Sequence, residues 1–324
     1  MDKEKTREEV QGEAILLTPY MSFVIGCLQR DGKHPSVHTY TATLHSFTVF
    51  ATSKGVPMQI PDVFTVARLK QYQSWLRQRK ASWNTVSTYM RTLRAVYNRL
   101  VAAQLVIRDP HLFDEVYTKV ESQTKRALTD EQTRTLAAVD PTCLPEDVQR
   151  ALSYFLLMFL FRGMPFIDLA HLRRQDVNGD CITYCRHKTG RRLTVRIPHE
   201  AMQLFEMCIN QSPDTDFLFP ILKDGEDVYE VYLSALRRFN RSLQKMAALL
   251  LPGVKISSYT ARHTWATIAY HHGWHVGIIS KALGHSSIRV TETYLKPFED
   301  EKVDMANNEL IASVMGNNGK RKRS

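Results

Sequence analysis

Residues 257–296 read SSYTARHTWATIAYHHGWHVGIISKALGHSSIRVTETYLK. A helical pattern runs from Thr260 to His272, and the glycine and tryptophan that follow mark its end. A second short helix is expected over Val276 to Leu283, and a third short segment holds Tyr294. The stretch puts Arg262 and His263 near a helix start, His285 in LGHSSI, and Tyr294 nine residues after that histidine. Each of these is weak alone, since any one of 13 tyrosines is more often a packing residue. His271 and His275 lie one helical turn apart with His272 between them. The helix break and the lack of a nearby acid or cysteine complete no ligand set, so no metal is expected.

Upstream, Val148 to Phe161 is an apolar helix broken near Gly163 and Pro165, within FRGMPFIDL, where Arg162 stands. CITYCRHKTGRRLTVRIP follows at 181–198. Its two alternating runs flank Lys188, Thr189, Gly190 and Arg191, which predicts a β-hairpin turning at the glycine. Helices are expected again over Glu200 to Asn210 and Val228 to Leu251. Leu128-Thr129-Asp130-Glu131-Gln132 opens this half as a capping box, with Thr129 as cap, Gln132 reaching back and Leu128 as a staple. A last amphipathic stretch from Glu301 to Met315 carries Val303, Leu310 and Val314 as anchors; the tail GNNGKRKRS is glycine-rich and then basic.

The first half also reads as helices. Ser36 is placed as the cap of one that Gly55 ends, with Val37, Tyr40, Leu44 and Phe47 inward. Thr65 is placed as the cap of the next, with Val66, Leu69, Tyr72 and Leu76 inward, and Asn84 as the cap of a third carrying Val86, Tyr89, Leu93, Val96 and Leu100. Opposite that last stripe, Arg91, Arg94 and Asn98 share one face, with Arg77, Arg79 and Lys80 just upstream. These six are candidate DNA contacts; a solvated charged face has the same pattern. Residues 109–125 hold a proline and many polar groups without periodicity, and the linker is placed there. The expected division is a helical DNA-binding domain at 1–115, a linker at 116–127, a second domain at 128–316 and a basic tail at 317–324.

Lys plus Arg number 43 against 33 Asp plus Glu, giving a net charge of +10 over 324 residues. That excess favours a polyanionic partner, because basic side chains displace counterions from phosphate backbones. Five cysteines without paired spacing read as reduced thiols of a cytoplasmic protein. The charged N-terminus MDKEKTREEVQGE has no apolar core of a signal peptide. The longest apolar run, Phe155 to Phe161, falls far short of the ~20 residues that a membrane span needs.

The order of Arg162, the hairpin Lys188, the Arg262-His263 pair, Leu-Gly-His285-Ser and Tyr294 resembles the catalytic domain of tyrosine recombinases, including the Xer, Cre and phage-integrase groups. The likeness spans roughly Leu128 to Met315. RGMPFIDLAHLR and YTARHTWAT look most like recombinases of Bacteroidetes, a group with DNA invertases and mobile-element integrases. The helical first half resembles the core-binding domain that precedes such catalytic domains. The resemblance implies a mainly α fold, with a SAM-like helical core-binding domain and a mostly helical catalytic domain holding a small antiparallel β-sheet. It implies that Tyr294 attacks the scissile phosphodiester to form a 3′-phosphotyrosine, that Arg162, Arg262 and His285 bind the phosphate, and that Lys188 protonates the leaving 5′-oxygen. Planar guanidinium groups suit that task, since they give paired charge-assisted bonds and stay charged. The covalent ester conserves the bond energy, so neither ATP nor metal nor another cofactor is expected. The partner implied is double-stranded DNA carrying a recombination site, bound by four copies on two sites that exchange strands through a Holliday junction.

Two positions depart from the family pattern. The first arginine usually stands three residues before the acid of a Glu/Asp-Leu pair; Pro165 is there, before Asp168-Leu169, and Arg162 lies three residues earlier. A histidine often stands three residues before the second arginine; Tyr259 is there, a secondary candidate with a positioning role. These departures support a rival reading, an architectural DNA-binding protein that kept the fold and lost activity. A type IB topoisomerase is a third. The room before the first helices is too small for a large arm-binding domain, which leans toward a simple recombinase such as an invertase.

Overall fold

The computed structural model describes residues 15–121, 127–225, 228–295 and 300–315. The basic tail lies outside the described residues. The fold is mostly helical with one small antiparallel sheet, and the chain divides into two units between residues 123 and 124.

The first unit contains α1 (Leu17–Arg30), α2 (His34–Lys54), the single turn α3 (Ile60–Val63), α4 (Val66–Gln78) and α5 (Trp83–Ala102). Its core is aromatic: Phe47, Phe50, Tyr72 and Trp75 interlock, with Phe47 edge-on to Tyr72 at 4.9 Å between ring centres. The buried Tyr72 hydroxyl bonds Ser46 Oγ at 2.7 Å, so its polar end is satisfied. Three placements differ from the sequence expectation. The helix α2 begins at His34, ahead of Ser36, because Pro35 in the first turn supplies a preset φ and needs no amide partner. Gly55 ends it in the left-handed conformation as expected. Ser82, and not Asn84, caps α5 by accepting the amide of Thr85 at 3.1 Å. Asn84 instead exchanges two hydrogen bonds with the backbone of Glu121. Finally, the segment after α5 belongs partly to this core, burying Leu112, Phe113 and Val116. Tyr97 holds its start, donating to Ile107 O and accepting from the Asp109 amide.

The second unit opens with the capping box of Thr129 and Gln132 at the head of α6 (Asp130–Ala137). The apolar α7 (Glu146–Leu160) is central, packed by α9 (His199–Cys208), α10 (Val228–Leu250) and α11 (Thr260–His271). The short α8 (Phe166–His171) precedes the sheet, whose strands β1 (Val177–Asn178), β2 (Cys181–Cys185) and β3 (Arg192–Arg196) lie in that order. In β2 and β3, Cys181 pairs with Arg196 and Cys185 with Arg192, which puts the turn at 186–191 and Gly190 at φ 64°. Ile182, Tyr184 and Val195 face the core. Two short helices, α12 (Val276–Leu283) and α13 (Ile288–Glu292), carry the chain to Tyr294, and α14 (Asp300–Met315) follows. All five cysteines are free thiols. Among the described residues no helix is long and apolar enough to cross a membrane.

Candidate active site

Three elements of the second unit meet around one guanidinium. The helix α7 ends in two consecutive left-handed residues, Arg162 at φ 59° and Gly163 at φ 67°. A methyl group on Gly163 would sit 3.0 Å from the Arg262 Cα, so the chain can turn there only without a side chain. The turn aims the Gly163 carbonyl at Arg262, whose Nη1 donates to it at 2.8 Å. Arg262 stands in the first turn of α11 and is 2% exposed. Its Nη2 donates to Leu283 O at 2.6 Å and to Nε2 of His285 at 2.9 Å. Left-handed Gly284 closes α12 and turns the chain into His285.

A guanidinium can only donate, so His285 Nε2 accepts and Nδ1 carries the ring hydrogen toward Thr291 Oγ1, 2.9 Å away. The electrostatics agree with this neutral form. Burial drives the His285 pKa down to about 3, and the charges of Arg262, Arg186 and Lys188 add to the depression. Burial and then Arg186 lower the Arg262 pKa to about 10, which leaves it charged at neutral pH. Tyr294 completes the group. Its ring centre lies 5.5 Å from the Arg262 guanidinium carbon and 4.9 Å from the His285 ring. His263 flanks its other side at 4.7 Å, and Thr267 Oγ1 reaches the Tyr294 carbonyl at 3.4 Å.

The hairpin supplies the rest. Lys188 is exposed in the turn, within electrostatic range of His285. Arg191 Nη1 holds the His285 carbonyl at 2.9 Å, and Leu193 packs against Gly284 so closely that a methyl there would lie 2.8 Å from it. Arg186 is buried between the hairpin and the His285 loop; its Nη1 donates to Gly284 O at 3.2 Å and its Nε lies 3.7 Å from Asp168 Oδ2. Asp168 accepts the His187 amide at 2.9 Å, and burial raises its pKa against these partners.

Arg262, His285 and Tyr294 therefore lie side by side. Tyr259 lies at the edge, its ring 6.5 Å from His263. Burial raises its pKa and Tyr294 adds to this, while Arg262 and Arg186 oppose it. Arg162 Nη1 meets Thr194 O on β3 at 3.4 Å, and its charge acts on Tyr184 of β2 together with the charges of Asp168, Arg262 and Arg186. The sequence reading missed Arg186, although a signal was present, because Ile182, Tyr184 and Arg186 alternate along one strand face. Gly163 and Thr291 carry no comparable signal.

In the first unit Arg91, Arg94 and Asn98 are exposed on α5. Arg77 stacks on Trp83 at 4.4 Å and bonds the Ala81 carbonyl, and Arg79 covers Trp75 at 4.7 Å. Arg94 lies 5.7 Å from the Phe113 ring centre, and Lys80 closes α4 at φ 60°.

The phage integrase family matches residues 126–301, more than half of the chain, and the phage integrase SAM-like domain matches 16–116. A tyrosine recombinase of Pseudothermotoga lettingae is 23% identical over 289 residues, covering 84% of this chain and 91% of the relative. The tyrosine recombinase XerD of Vibrio cholerae is 20% identical, covering 72% and 77%. Among solved structures, the Tn1549 transposon integrase in complex with transposon right end DNA has a TM-score of 0.64 at 15% identity, covering 92% of this chain and all of that one. A λ integrase dimer bound to a COC′ core site has a TM-score of 0.61 at 15% identity, covering 91% and 81%. Since the family match takes in the turn after α7, the hairpin, α11 and the segment up to Tyr294, the chain belongs to the phage integrase family and is a tyrosine site-specific recombinase, an enzyme that cuts and rejoins DNA.

Proposed function

We propose that Tyr294 is the nucleophile, that Arg262 binds the phosphate it attacks, and that His285 joins it as a donor by moving its ring hydrogen to Nε2 once Arg262 Nη2 turns to the phosphate, with Thr291 Oγ1 then donating to Nδ1. The observation that carries this is the placement of the Tyr294 ring beside both groups, at 5.5 Å and 4.9 Å. In the reaction the phenol releases its proton to solvent, its oxygen bonds to phosphorus, and the bond from phosphorus to the 5′-oxygen breaks, that oxygen taking a proton from Lys188. The product is a 3′-phosphotyrosine and a free 5′-hydroxyl. Attack of a 5′-hydroxyl from a second duplex reverses the step, so strands exchange without ATP or metal. A preorganised donor at the phosphate contributes ~10²–10³ in rate. Tyr259 helps to position Tyr294, and Arg162 supports the hairpin through Thr194 O.

Arg77, Arg79, Lys80, Arg91, Arg94 and Asn98 then meet the DNA backbone, where they neutralise phosphates. The enzyme works in the cytoplasm as four copies on two DNA sites, passing through a Holliday junction. A λ integrase tetramer bound to a Holliday junction has a TM-score of 0.59 to this chain at 14% identity. The exposed apolar residues of α14 fit a role in joining copies.

The test is a nicked suicide duplex bearing the site that the protein selects from a random library. A covalent adduct is expected with the wild type and none with Tyr294→Phe. An adduct that survives Tyr294→Phe would overturn the assignment. Products that require two sites separate recombination from relaxation by a topoisomerase.

A further inference from the structure

Arg186 has donors that the protein does not use. The strand alternation that turns Ile182 and Tyr184 inward carries Arg186 inward as well, and the residue is 4% exposed. Of its three nitrogens, only Nη1 makes a hydrogen bond among the described residues, to Gly284 O. Its buried Nε has no hydrogen-bond partner, and the nearest carboxylate oxygen, Asp168 Oδ2, stands 3.7 Å off and is itself unbonded. Arg262 repeats the pattern, with a buried Nε that nothing accepts from. Asp168, the buried carboxylate beside Arg186, also feels the charge of Arg262, and His285 beside them is neutral. Enclosed charge with unspent donors is costly unless an anion completes it.

The place of Arg186 fits that anion. Its charge acts directly on Arg262, His285 and Tyr259, and its Nη1 holds the carbonyl next to His285. The one hydrogen bond of the Arg162 side chain among the described residues goes to the Thr194 carbonyl of β3. Pro165 has no donor to offer at all.

We propose that Arg186 is the second guanidinium on the scissile phosphate, donating from Nε and Nη2 to a non-bridging oxygen beside the one that Arg262 binds. The assignment rests on the reading of Tyr294 and Arg262 above. It also puts a phosphate ligand two residues from the general acid Lys188, so one hairpin grips the phosphate and protonates its leaving group.

The test compares two versions of the suicide duplex: a normal phosphodiester, and a methylphosphonate in which a methyl replaces one charged oxygen at the scissile position. Arg186→Ala is expected to slow adduct formation by ~10²–10³ on the diester and to lose at least about tenfold less on the uncharged ester. Arg186→Gln, which keeps a donor for Gly284 O and a side chain of similar reach, covers the case in which the alanine variant does not fold. It should show the same dependence on the ester. Arg162→Ala should respond to both esters alike. Equal losses on the two esters in the folded Arg186 variant would mark a structural clamp and overturn the proposal, as would an ester-dependent loss in Arg162→Ala. An adduct that persists in Tyr294→Phe would sink the nucleophile and this assignment with it, a failure of a different kind.

Discussion

At the scale of single residues, the site depends on one glycine and one neutral imidazole. Gly163 combines a left-handed φ of 67° with a space too small for a methyl against the Arg262 backbone. Gly163→Ala should destabilise the protein by roughly 1–3 kcal/mol, since strain and displacement of α11 act together. A urea midpoint equal to that of the wild type would contradict this. His285 gives a dependence on pH. The unfolded chain takes up a proton there near pH 6.5, whereas the folded chain resists until about pH 3. The folded state therefore loses stability as pH falls from 6.5 toward 3. His285→Gln lacks that penalty, so the advantage of the wild type over the variant should shrink between pH 7.5 and pH 5. A constant difference in unfolding free energy would refute the buried neutral state. Of the residues that converge, Arg262, His285 and Tyr294 were legible in the sequence because they sit in two short motifs. Arg186 was hidden because a charged residue beside a hairpin turn reads as solvated. Only the inward phase of β2 says otherwise, and that phase is fixed by Ile182 and Tyr184 meeting the core.

At the scale of elements, apolar periodicity located most helices but not α1, α3 or α8, and among those it found the ends were where it fell short. The stripe Val86, Leu93, Val96 and Leu100 fixes α5, but two polar residues compete for its start. Ser82 prevails because its extended backbone lets Oγ reach the Thr85 amide, while Asn84 is drawn to Glu121, 37 residues ahead, a partner that local pattern cannot reveal. Amide exchange separates the two roles. Ser82→Ala should speed exchange at Thr85 by about fivefold, the equivalent of ~1 kcal/mol for a lost cap, and leave Glu121 unchanged. Asn84→Ala should do the reverse. If Asn84→Ala released Thr85, the cap would be misassigned. The same limit explains the linker: residues 109–121 lack periodicity, yet Leu112, Phe113 and Val116 are buried in the first unit's core. In the second unit the hairpin came through clearly from alternation. Its purpose did not, because Arg191 and Leu193 act on the loop of His285 and Gly284, more than 90 residues further along.

At the scale of the whole molecule, α14 concentrates exposed apolar side chains on one helix. Every described side chain from 303 to 315 is exposed, including Val303, Met305, Leu310, Ile311, Val314 and Met315. A helix of 16 residues is marginal on its own propensity in water, so its stability has to come from burying that apolar face. Each apolar side chain buried contributes ~1.5–3 kcal/mol, and two or three anchors suffice to join copies of the chain. Since every described side chain of α14 is exposed, deletion from residue 300 onward should leave the urea midpoint unchanged. Binding of one copy to one DNA site should change little, because the exposed Arg91, Arg94 and Asn98 of α5 and the residues around Arg262 remain. Assembly of two-site complexes should fall by about tenfold or more, as the loss of one buried anchor already corresponds to a factor of that order. Sedimentation of the protein with one-site and two-site duplexes separates the two quantities. Equal weakening of both would mean that α14 serves DNA contact and not assembly, and the exposed face would then need a different occupant.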